Sequence, residues 1–318
     1  MKKDLEFNMR GVRGTMTGRY NGRSENAVVV GVDTAIGLAM AHALHEGGFG
    51  VIGFGETETA PCGGLVDYRT TDYTAYGIPD DCNLVLFCHD AASHLDRHAV
   101  ALDALCRELA ARRRDDNQVH VCCFTPANAC AADKGRVKET SPLCPHTRRE
   151  LAYVRAEMTL HAWCFASRMA ILPNIFRHGE LYADLPAGLP LAGHVNACLR
   201  KRRRHEPLVA PGLGMQRRTL THLDDFAAMV AALLKRDLIP SVVNIPGETF
   251  SVIDYMIPLD DSPAMEMPMA ADGHDDDLPW GVSDCVLSTA LFKSEVAYRL
   301  RHRFREWAAA LSDKAPRQ

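Results

Sequence analysis

The chain has 318 residues, of which 47% are hydrophobic and 24% are charged, a balance typical of a folded globular protein. This composition excludes a wholly disordered chain, and the length suits one large domain or two coupled ones. Lys and Arg number 36 against 40 Asp and Glu, so the formal net charge is -4 and no chain-wide positive field exists to bind nucleic acid.

The first segment, residues 1–26, is rich in glycine and arginine and shows little apolar periodicity. A polar terminus of this kind predicts a flexible N-terminal arm. A partner-binding tail is the alternative interpretation.

Strand-like and helix-like segments alternate after this arm. The strand-like runs are AVVVGV, VIGFG, LVLFC and VHVCCF, followed later by MAILPN and SVVNIP. A helical pattern begins at Ala35, and a long one separates LVLFC from VHVCCF. The alternation predicts βαβ units, and the near-continuous apolar runs predict strands that are buried on both faces of a parallel sheet. The expected fold class is therefore α/β, a doubly wound parallel sheet of the Rossmann type.

The first strand and the first helix are joined by Gly31-Val-Asp-Thr34-Ala-Ile36-Gly37. A glycine at the strand end permits a tight turn, and a glycine at the helix start permits close packing. A pyrophosphate can then sit on the N–H groups at the helix N-terminus. Thr34 stands where the middle glycine of this motif belongs, and a βα turn without a ligand is the alternative interpretation.

The end of the second strand bears on the choice of cofactor. It carries Gly55 where an acidic residue would hold the adenosine ribose, with Glu56 one step later. No arginine stands there to meet a 2'-phosphate. The expected cofactor is therefore NAD or NADP, with the choice open.

The composition loosens from about Gly179. Proline and glycine recur, a KRRR run occupies residues 201–204, and residues 260–280 have the composition of a loop. A closing amphipathic helix is expected over about residues 291–311. These features predict a smaller second lobe that is built on insertions.

Several further motifs between about Ala27 and Asp254 occur in a recognisable order. The longest is Gly212-Leu-Gly-Met-Gln-Arg-Arg-Thr-Leu-Thr-His-Leu-Asp-Asp225. The others are Asp72-Tyr73, His89-Asp90-Ala91-Ala92, Glu139, Pro142, Pro145, Glu157, Asn174 and Val243-Asn-Ile-Pro-Gly247. Together with the glycine loop, this order resembles the extended short-chain dehydrogenase/reductases of the nucleotide-sugar epimerase/dehydratase type.

The resemblance implies roles for particular residues. The implied cofactor-binding residues are Gly31, Thr34, Ile36, Gly37, Asp72, Tyr73 and Ala91. Asn174 and Arg218 are the implied substrate-binding residues. In this register Arg218 grips the diphosphate of a nucleotide sugar, because its planar guanidinium can bond two phosphate oxygens at once.

The resemblance also implies an organisation of the chain. Residues 27–178 would form a dinucleotide-binding domain, and residues 179–318 a mixed C-terminal substrate lobe from which segments of about 219–250 return to the first domain. The helical segments at about 93–113 and 147–167 resemble the pair that forms the dimer interface of the family. A homodimer is therefore expected, with packing of these helices inside one subunit as the alternative.

The Tyr-x-x-x-Lys pair of that family is absent from this chain. Arg149 stands at the tyrosine position and Tyr153 at the lysine position, in the register set by Pro145 and Glu157. In the family the lysine lowers the pKa of the tyrosine, so that a phenolate takes a proton as hydride leaves. Thr125 falls where a Ser or Thr positions the substrate hydroxyl. The candidate catalytic residues are therefore Thr125, Arg149 and Tyr153.

Two functional interpretations stay open. In the first, the protein acts on a nucleotide sugar or a related small molecule by hydride transfer, and another residue supplies the base. His89, Asp90 and His178 are the candidates, because imidazole and carboxylate groups can exchange protons near neutral pH. In the second, the protein is a catalytically inactive homologue that serves as a dinucleotide-binding sensor or scaffold.

Further expectations concern metal, thiols and location. His94 and His98 at i, i+4 suggest a metal site, but exposed helix histidines are the plainer interpretation and no metal is expected. Eleven cysteines without a C-x-x-C pair favour free thiols in a reducing cytoplasm, with Cys122 and Cys123 on opposite faces of one strand. No apolar run is long enough to cross a bilayer, so a membrane is not an expected partner.

Overall fold

The computed structural model of the protein describes residues 26–58, 64, 66–89, 95–112, 118–130, 132, 135–186, 189, 191–208, 210, 213–260 and 284–314. The predicted arm lies outside the described residues except for Asn26. Asp90, Ala91 and His94 also lie outside them, as does nearly all of the loop predicted at residues 260–280.

Strands and helices alternate over the described part of the chain. The strands are β1 (Asn26–Val30), β2 (Gly50–Gly55), β3 (Asp67–Thr70), β4 (Leu84–Phe87), β5 (Val119–Pro126), β6 (Arg136–Val137), β7 (Ile171–His178), β8 (Glu180–Tyr182), β9 (Arg217–His222), β10 (Val242–Asn244), β11 (Glu248–Ser251) and β12 (Val286–Leu287). The α-helices are α1 (Ala35–Glu46), α2 (His98–Ala111), α3 (Arg148–Ala166), α4 (His194–Arg203), α5 (Leu223–Leu234), α6 (Val252–Met256), α7 (Ala290–Glu295) and α8 (Phe304–Lys314).

A seven-stranded parallel sheet in the order β10-β7-β5-β4-β1-β2-β3 forms the centre of the fold. Every residue of β4 and β7 is buried, because helices cover both faces of the sheet. Consecutive residues of one strand pack into different cores, one on each face of the sheet. Cys122 packs with α1 and α5, whereas Cys123 packs with α2 and α3. The predicted doubly wound α/β fold is therefore confirmed.

A smaller three-stranded sheet is built from β8, β9 and β11. A separate core around Tyr182, Tyr255 and Phe304 packs this sheet against α4, α6 and α8. Within residues 219–250, β10 pairs with β7 as a strand of the large sheet, and α5 packs beside α1, which covers that sheet. β9 and β11 stay in the small one. The C-terminal half of the chain is thus shared between the two sheets.

The prediction of one continuous closing helix over residues 291–311 is wrong. The helix α7 ends at Glu295, and a second helix, α8, begins at Phe304. The buried carboxylate of Asp225 explains the interruption. It accepts hydrogen bonds from the Tyr298 hydroxyl and from the backbone N–H groups of Arg301 and His302. These bonds hold the segment between α7 and α8 against α5.

A buried ion pair fastens α3 to the large sheet. Arg177 Nη2, at the end of β7, lies 3.2 Å from Glu157 Oε2 on α3, and the two side chains are 5% and 2% exposed. Arg177 Nη1 also donates to the carbonyl oxygens of Glu139 and Ser141. The pair therefore fixes both the helix that carries the candidate catalytic positions and the loop that precedes it.

Among the described residues, no helix is long and apolar enough to span a bilayer. The described cysteines are all free, and most are buried. Burial raises the pKa of Cys82 and Cys285 to about 11, so these thiols stay protonated and behave as small apolar side chains.

Candidate functional site

A cavity lies at the carboxyl ends of β1, β4, β5 and β7, where the strand order changes direction between β1 and β4. Ligands of open α/β sheets bind at such switch points. The cavity holds about 870 Å³ of space, part of it open to solvent, and extends from the start of α1 to the start of α4. Its wall is formed by Thr34, Ala35, Ile36, Phe87, Cys88, His89, Phe124, Pro126, Asn128, Thr147, Arg149, Glu150, Tyr153, His178, Gly179, Glu180, Leu181, Leu191, Ala192 and Gly193.

The two glycines of the first βα turn are required by the backbone. Gly31 has a φ of 80°, and a Cβ there would lie 2.7 Å from the backbone nitrogen of His89. A Cβ on Gly37 would lie 1.9 Å from the carbonyl oxygen of Gly31. The turn and the helix start therefore pack as the glycine motif predicts, before any ligand is considered.

Thr34 turns its hydroxyl onto the backbone of the turn. Its Oγ1 accepts a hydrogen bond from Gly37 N–H at 3.0 Å and lies 2.8 Å and 2.9 Å from the carbonyl oxygens of Gly31 and Cys88. The threonine thus caps α1. The next two amides, those of Ala35 and Ile36, have no carbonyl partner within the helix, and both residues line the cavity. The helix end is therefore open to an anionic ligand.

Asp33, from the same loop, fills the space at the end of β2. Its Oδ2 accepts hydrogen bonds from the backbone N–H groups of Glu56 at 2.7 Å and Thr57 at 3.3 Å. A Cβ on Gly55 would lie 2.7 Å from Asp33 Cγ, so the glycine leaves room for the carboxylate. The carboxylate at the end of β2 is thus supplied by the first βα turn and not by β2 itself.

The expected adenine-binding pair, Asp72 and Tyr73, follows β3. Asp72 is exposed, and its Oδ1 accepts hydrogen bonds from the Thr74 hydroxyl and backbone N–H, which lower the pKa of Asp72. Tyr73 is buried, with its ring centroid 4.6 Å from that of His89. Neither residue lies on the described cavity wall, so adenine binding stays a prediction for both, as it does for Ala91.

His89, at the end of β4, lines the cavity and pairs with His98 of α2. Their Nδ1 atoms lie 3.3 Å apart, so one ring donates and the other accepts. Burial, together with His89, lowers the pKa of His98 to about 3, which keeps this ring neutral. The interpretation of His98 as an exposed helix histidine is wrong. Its side chain packs between the rings of Phe87 and Tyr153 and is 3% exposed.

Two of the three predicted catalytic residues reach the cavity. Arg149 and Tyr153 line it from one face of α3. Thr125 is 1% exposed and does not line it, although its neighbours Phe124 and Pro126 do. Successive residues of a strand point to opposite faces, which explains the difference. This geometry does not support a substrate-positioning role for Thr125.

The two predicted substrate-binding residues are buried outside the described cavity wall. The side-chain oxygen of Asn174 lies 2.8 Å from His120 Nδ1, and its amide nitrogen donates to the carbonyl oxygen of Pro240. These bonds fix Asn174 within the sheet, and substrate binding by Asn174 stays a prediction. Arg218 is 2% exposed and donates to the carbonyl oxygen of Arg217. Phosphate binding by Arg218 stays a prediction.

His178 ends β7 and lines the cavity. Its Nδ1–H donates to the Gly179 carbonyl oxygen at 2.7 Å, which leaves Nε2 as the acceptor of a neutral ring. Burial lowers the pKa of His178 to about 4. Asp90, the other residue suggested beside the two histidines, lies outside the described part of the chain.

Two carboxyl groups on the wall were not expected from the sequence. Glu150 forms a capping box with Thr147 at the start of α3, and burial raises its pKa. The Thr-x-x-Glu spacing is a signal that could have located it. Glu180 begins β8, and burial raises its pKa to about 7. No spacing rule marks Glu180, because its position depends on the packing of the second lobe.

A group of potential metal ligands, His222, Asp224 and His302, lies apart from the cavity wall, with ligand atoms within 4.8 Å of one another. His222 Nδ1 already accepts the backbone N–H of Asp224 at 3.3 Å, as the cap of α5. The rings of His222 and His302 stack with centroids 4.0 Å apart. Capping and ring packing account for this group.

No family model matches the chain, and no curated protein matches it. Solved structures share its fold. TunA, an NAD-dependent NDP-hexosamine 5,6-dehydratase of tunicamycin biosynthesis, has a TM-score of 0.71 at 22% identity, over 90% of this chain and 96% of TunA. MoeE5 in complex with UDP-glucuronic acid and NAD has a TM-score of 0.70 at 18% identity, over 89% and 96%.

A third structure with this fold is UDP-glucuronic acid 4-epimerase from Bacillus cereus in complex with UDP-glucuronic acid and NAD. Its TM-score is 0.69 at 17% identity, over 91% of this chain and 98% of the epimerase. The chain therefore has the fold of NAD-dependent nucleotide-sugar epimerases and dehydratases over most of its length. At the level of fold, this confirms the resemblance that the motifs predicted.

Proposed function

We propose that this chain is an NAD-linked enzyme of the epimerase/dehydratase type that acts on a nucleotide sugar through a non-standard site. One observation carries the proposal. A continuous cavity runs from the amino end of α1 to the second lobe, so a dinucleotide and a second ligand can meet inside it. Solved proteins of the same fold hold NAD and nucleotide sugars together.

The amino end of α1 suits the pyrophosphate of NAD. Ala35 and Ile36, the first two residues of the helix, line the cavity, and Thr34 keeps its hydroxyl on the backbone of the turn. When bound there, NAD supplies the group that accepts and returns hydride. The carboxylate of Asp33 at the end of β2 favours NAD over NADP, because it would repel a 2'-phosphate.

Other groups on the wall can bind a substrate and move protons. Arg149 brings a guanidinium that can pair with a diphosphate or a sugar carboxylate. The imidazoles of His89 and His178 line the cavity at the carboxyl ends of β4 and β7, the two strands that flank β5, and can transfer protons in place of the missing tyrosine and lysine pair. The side chains of Leu181 and Leu191 form an apolar part of the cavity wall, which excludes water from the site.

We also propose that the protein is a homodimer that pairs through α2 and α3. Exposed apolar side chains lie on these helices: Val100 is 66% exposed, Met158 is 62% and Phe165 is 68%. Leu151, Met158 and Phe165 follow one another at seven-residue intervals and so form one stripe along α3. A second copy would remove this stripe from water. The cytoplasm is the proposed location, since free cysteines persist in a reducing compartment.

A second candidate function is a dinucleotide-binding sensor without turnover. The position of Tyr153 favours it, because its phenol ring packs against His98 with centroids 5.2 Å apart where the related enzymes need a lysine. In that case the glycine turn would bind NAD, and the missing proton relay would need no replacement.

The two candidates are separated by ligand binding and turnover on the purified full-length chain. NAD at one hundred times its dissociation constant should stabilise the fold by about 2.7 kcal/mol, which thermal unfolding detects. The nucleotide sugars found in solved proteins of this fold, UDP-glucuronic acid and UDP-glucose, are then added with NAD, and products are followed by NMR. Turnover supports the enzyme. NAD binding without sugar binding or turnover supports the sensor, and no response to NAD contradicts both.

A further inference from the structure

Glu180 is a buried carboxyl group on the cavity wall that the proposed chemistry does not yet use. It directly follows Gly179 at the junction of β7 and β8, and it is 2% exposed. One oxygen, Oε1, accepts a hydrogen bond from the backbone N–H of Val195 in the first turn of α4. The other oxygen, Oε2, is buried and has no hydrogen-bond partner among the described residues.

The surroundings of Glu180 leave space for its carboxyl group. Gly193, the N-cap residue of α4, has a φ of 120°, and a Cβ there would lie 3.1 Å from Glu180 Cγ. The titratable and charged groups that face Glu180 from the packed elements are Arg218 on β9, Cys198 on α4, Tyr255 on α6 and His178 on β7. His194 of α4 lies beside them, with its Nδ1 2.6 Å from the Tyr255 hydroxyl oxygen. Burial raises the pKa of Glu180 to about 7, although the Val195 N–H and the Arg218 charge act in the opposite direction.

Glu150, the other carboxyl group on the wall, differs from Glu180 in its hydrogen bonds. Glu150 Oε1 accepts from the Asn128 amide, and its Oε2 accepts from the backbone N–H groups of His146 and Thr147. Both of its oxygens are therefore used within the protein. Capping α4 explains one oxygen of Glu180, but it leaves the second oxygen buried at a cost in free energy. A ligand that donates a hydrogen bond would remove that cost.

We propose that Glu180 binds a hydroxyl group of the sugar in a nucleotide sugar, with its second oxygen as the acceptor. This proposal rests on the proposed function, because it takes the occupant of the cavity to be a nucleotide sugar. A carboxylate repels phosphate, so the diphosphate must lie away from Glu180 and the sugar must point toward it. Glu180 thereby sets which end of the substrate enters the second lobe.

The protonation of Glu180 follows from this contact. A hydrogen bond from a hydroxyl to the carboxylate favours the ionised form, so the pKa of Glu180 falls when the sugar binds. The bound state then holds fewer protons than the free state near pH 7. Binding therefore releases protons near neutral pH, and affinity falls as the pH drops through about 7.

Isothermal titration calorimetry of the full chain with NAD present tests this directly. The probes are UDP-glucose, dTDP-glucose and GDP-mannose, each compared with its nucleoside diphosphate, at pH 7 in two buffers with different ionisation enthalpies. For the wild type, the sugar nucleotide that binds should release protons, because its own diphosphate has no group that titrates near pH 7. The Glu180→Gln variant should bind the same sugar nucleotide about tenfold or more weakly, and this binding should release no protons. Its affinity for the nucleoside diphosphate should equal that of the wild type.

Glu248→Gln is the matched control. Glu248 also accepts a backbone N–H, that of Phe304, but lies outside the described cavity wall, so its replacement should leave affinity and proton release unchanged. If Glu180→Gln does not fold, deoxy analogues of the bound sugar nucleotide are titrated into the wild type instead. One of them should bind about tenfold or more weakly and release no proton.

The outcomes separate the two proposals. If neither these three sugar nucleotides nor UDP-glucuronic acid binds the wild type, the proposed function fails and the assignment of Glu180 falls with it. If a sugar nucleotide binds and Glu180→Gln keeps the same affinity and proton release, the assignment of Glu180 alone is overturned. Equal affinities for all the deoxy analogues overturn it in the same way.

Discussion

Ala35→Pro tests whether a pyrophosphate binds the amino end of α1. Ala35 is the first residue of this helix, a position where proline fits because its nitrogen needs no hydrogen there. The preceding residue, Thr34, has φ and ψ of -92° and 162°, the extended conformation that a residue before proline adopts. The substitution therefore removes one amide donor from the cavity wall and keeps the backbone of the turn.

The expected loss follows from the bond that is removed. A hydrogen bond from an amide to a charged group contributes about 1.5–3 kcal/mol. At about 1.4 kcal/mol per factor of ten, Ala35→Pro should weaken NAD binding about 10- to 150-fold. The ring of the proline points along the lost N–H direction and so adds steric exclusion to the same effect.

Calorimetric titration with NAD measures this loss, and thermal unfolding without NAD checks the fold. Arg148→Pro is the matched control, because Arg148 is the first residue of α3 and follows Thr147, whose φ and ψ are -120° and 162°. It should bind NAD as the wild type does. Wild-type affinity in a folded Ala35→Pro protein would show that the dinucleotide does not use this helix end, which removes the basis of the proposed function.

Three further predictions concern charge, stability and assembly. Asp33→Asn should raise the affinity for NADP relative to NAD by about tenfold, measured by titration with both, and an unchanged ratio would show that Asp33 does not face the ribose. Glu157→Gln should destabilise the fold by about 3–5 kcal/mol in chemical denaturation, since it leaves Arg177 buried without its charge partner; a loss below about 1 kcal/mol would contradict this. Met158→Glu combined with Phe165→Glu should yield monomers in sedimentation velocity, and an unchanged mass would exclude the α3 stripe as the interface.

The fold could be predicted because its signals are local. Strands buried on both faces are apolar along their whole length, and the glycines at Gly31 and Gly37 are demanded by contacts within one turn. The positions of Arg149 and Tyr153 were also accessible, since a four-residue spacing places two side chains on one face of a helix wherever that helix packs. Predictions of this kind depend on a few neighbouring residues.

The placement of a side chain could not be predicted where it depends on register in three dimensions. Thr125 and Asn174 both belong to buried strands, where a shift by one residue exchanges the two faces of the sheet and leaves the apolar pattern unchanged. Asn174 moreover has a partner, His120, that is distant in sequence. Glu180 reaches the cavity because the second lobe folds back over the sheet, and no periodicity within residues 179–183 indicates that contact.

The relation between Gly55 and Asp33 shows how a missing motif residue can be replaced from elsewhere. An acidic side chain at residue 55 would start from a Cβ 2.7 Å from Asp33 Cγ and 2.8 Å from the Tyr68 hydroxyl oxygen, so this chain has no room for one. The carboxylate comes from the first turn and is held by the amides that follow β2. A search for an acid at the strand end therefore fails although the negative charge is present. Thr34 follows the same principle, since its hydroxyl caps α1 where the glycine motif has a glycine, and the proposed phosphate site depends on backbone amides that neither substitution removes.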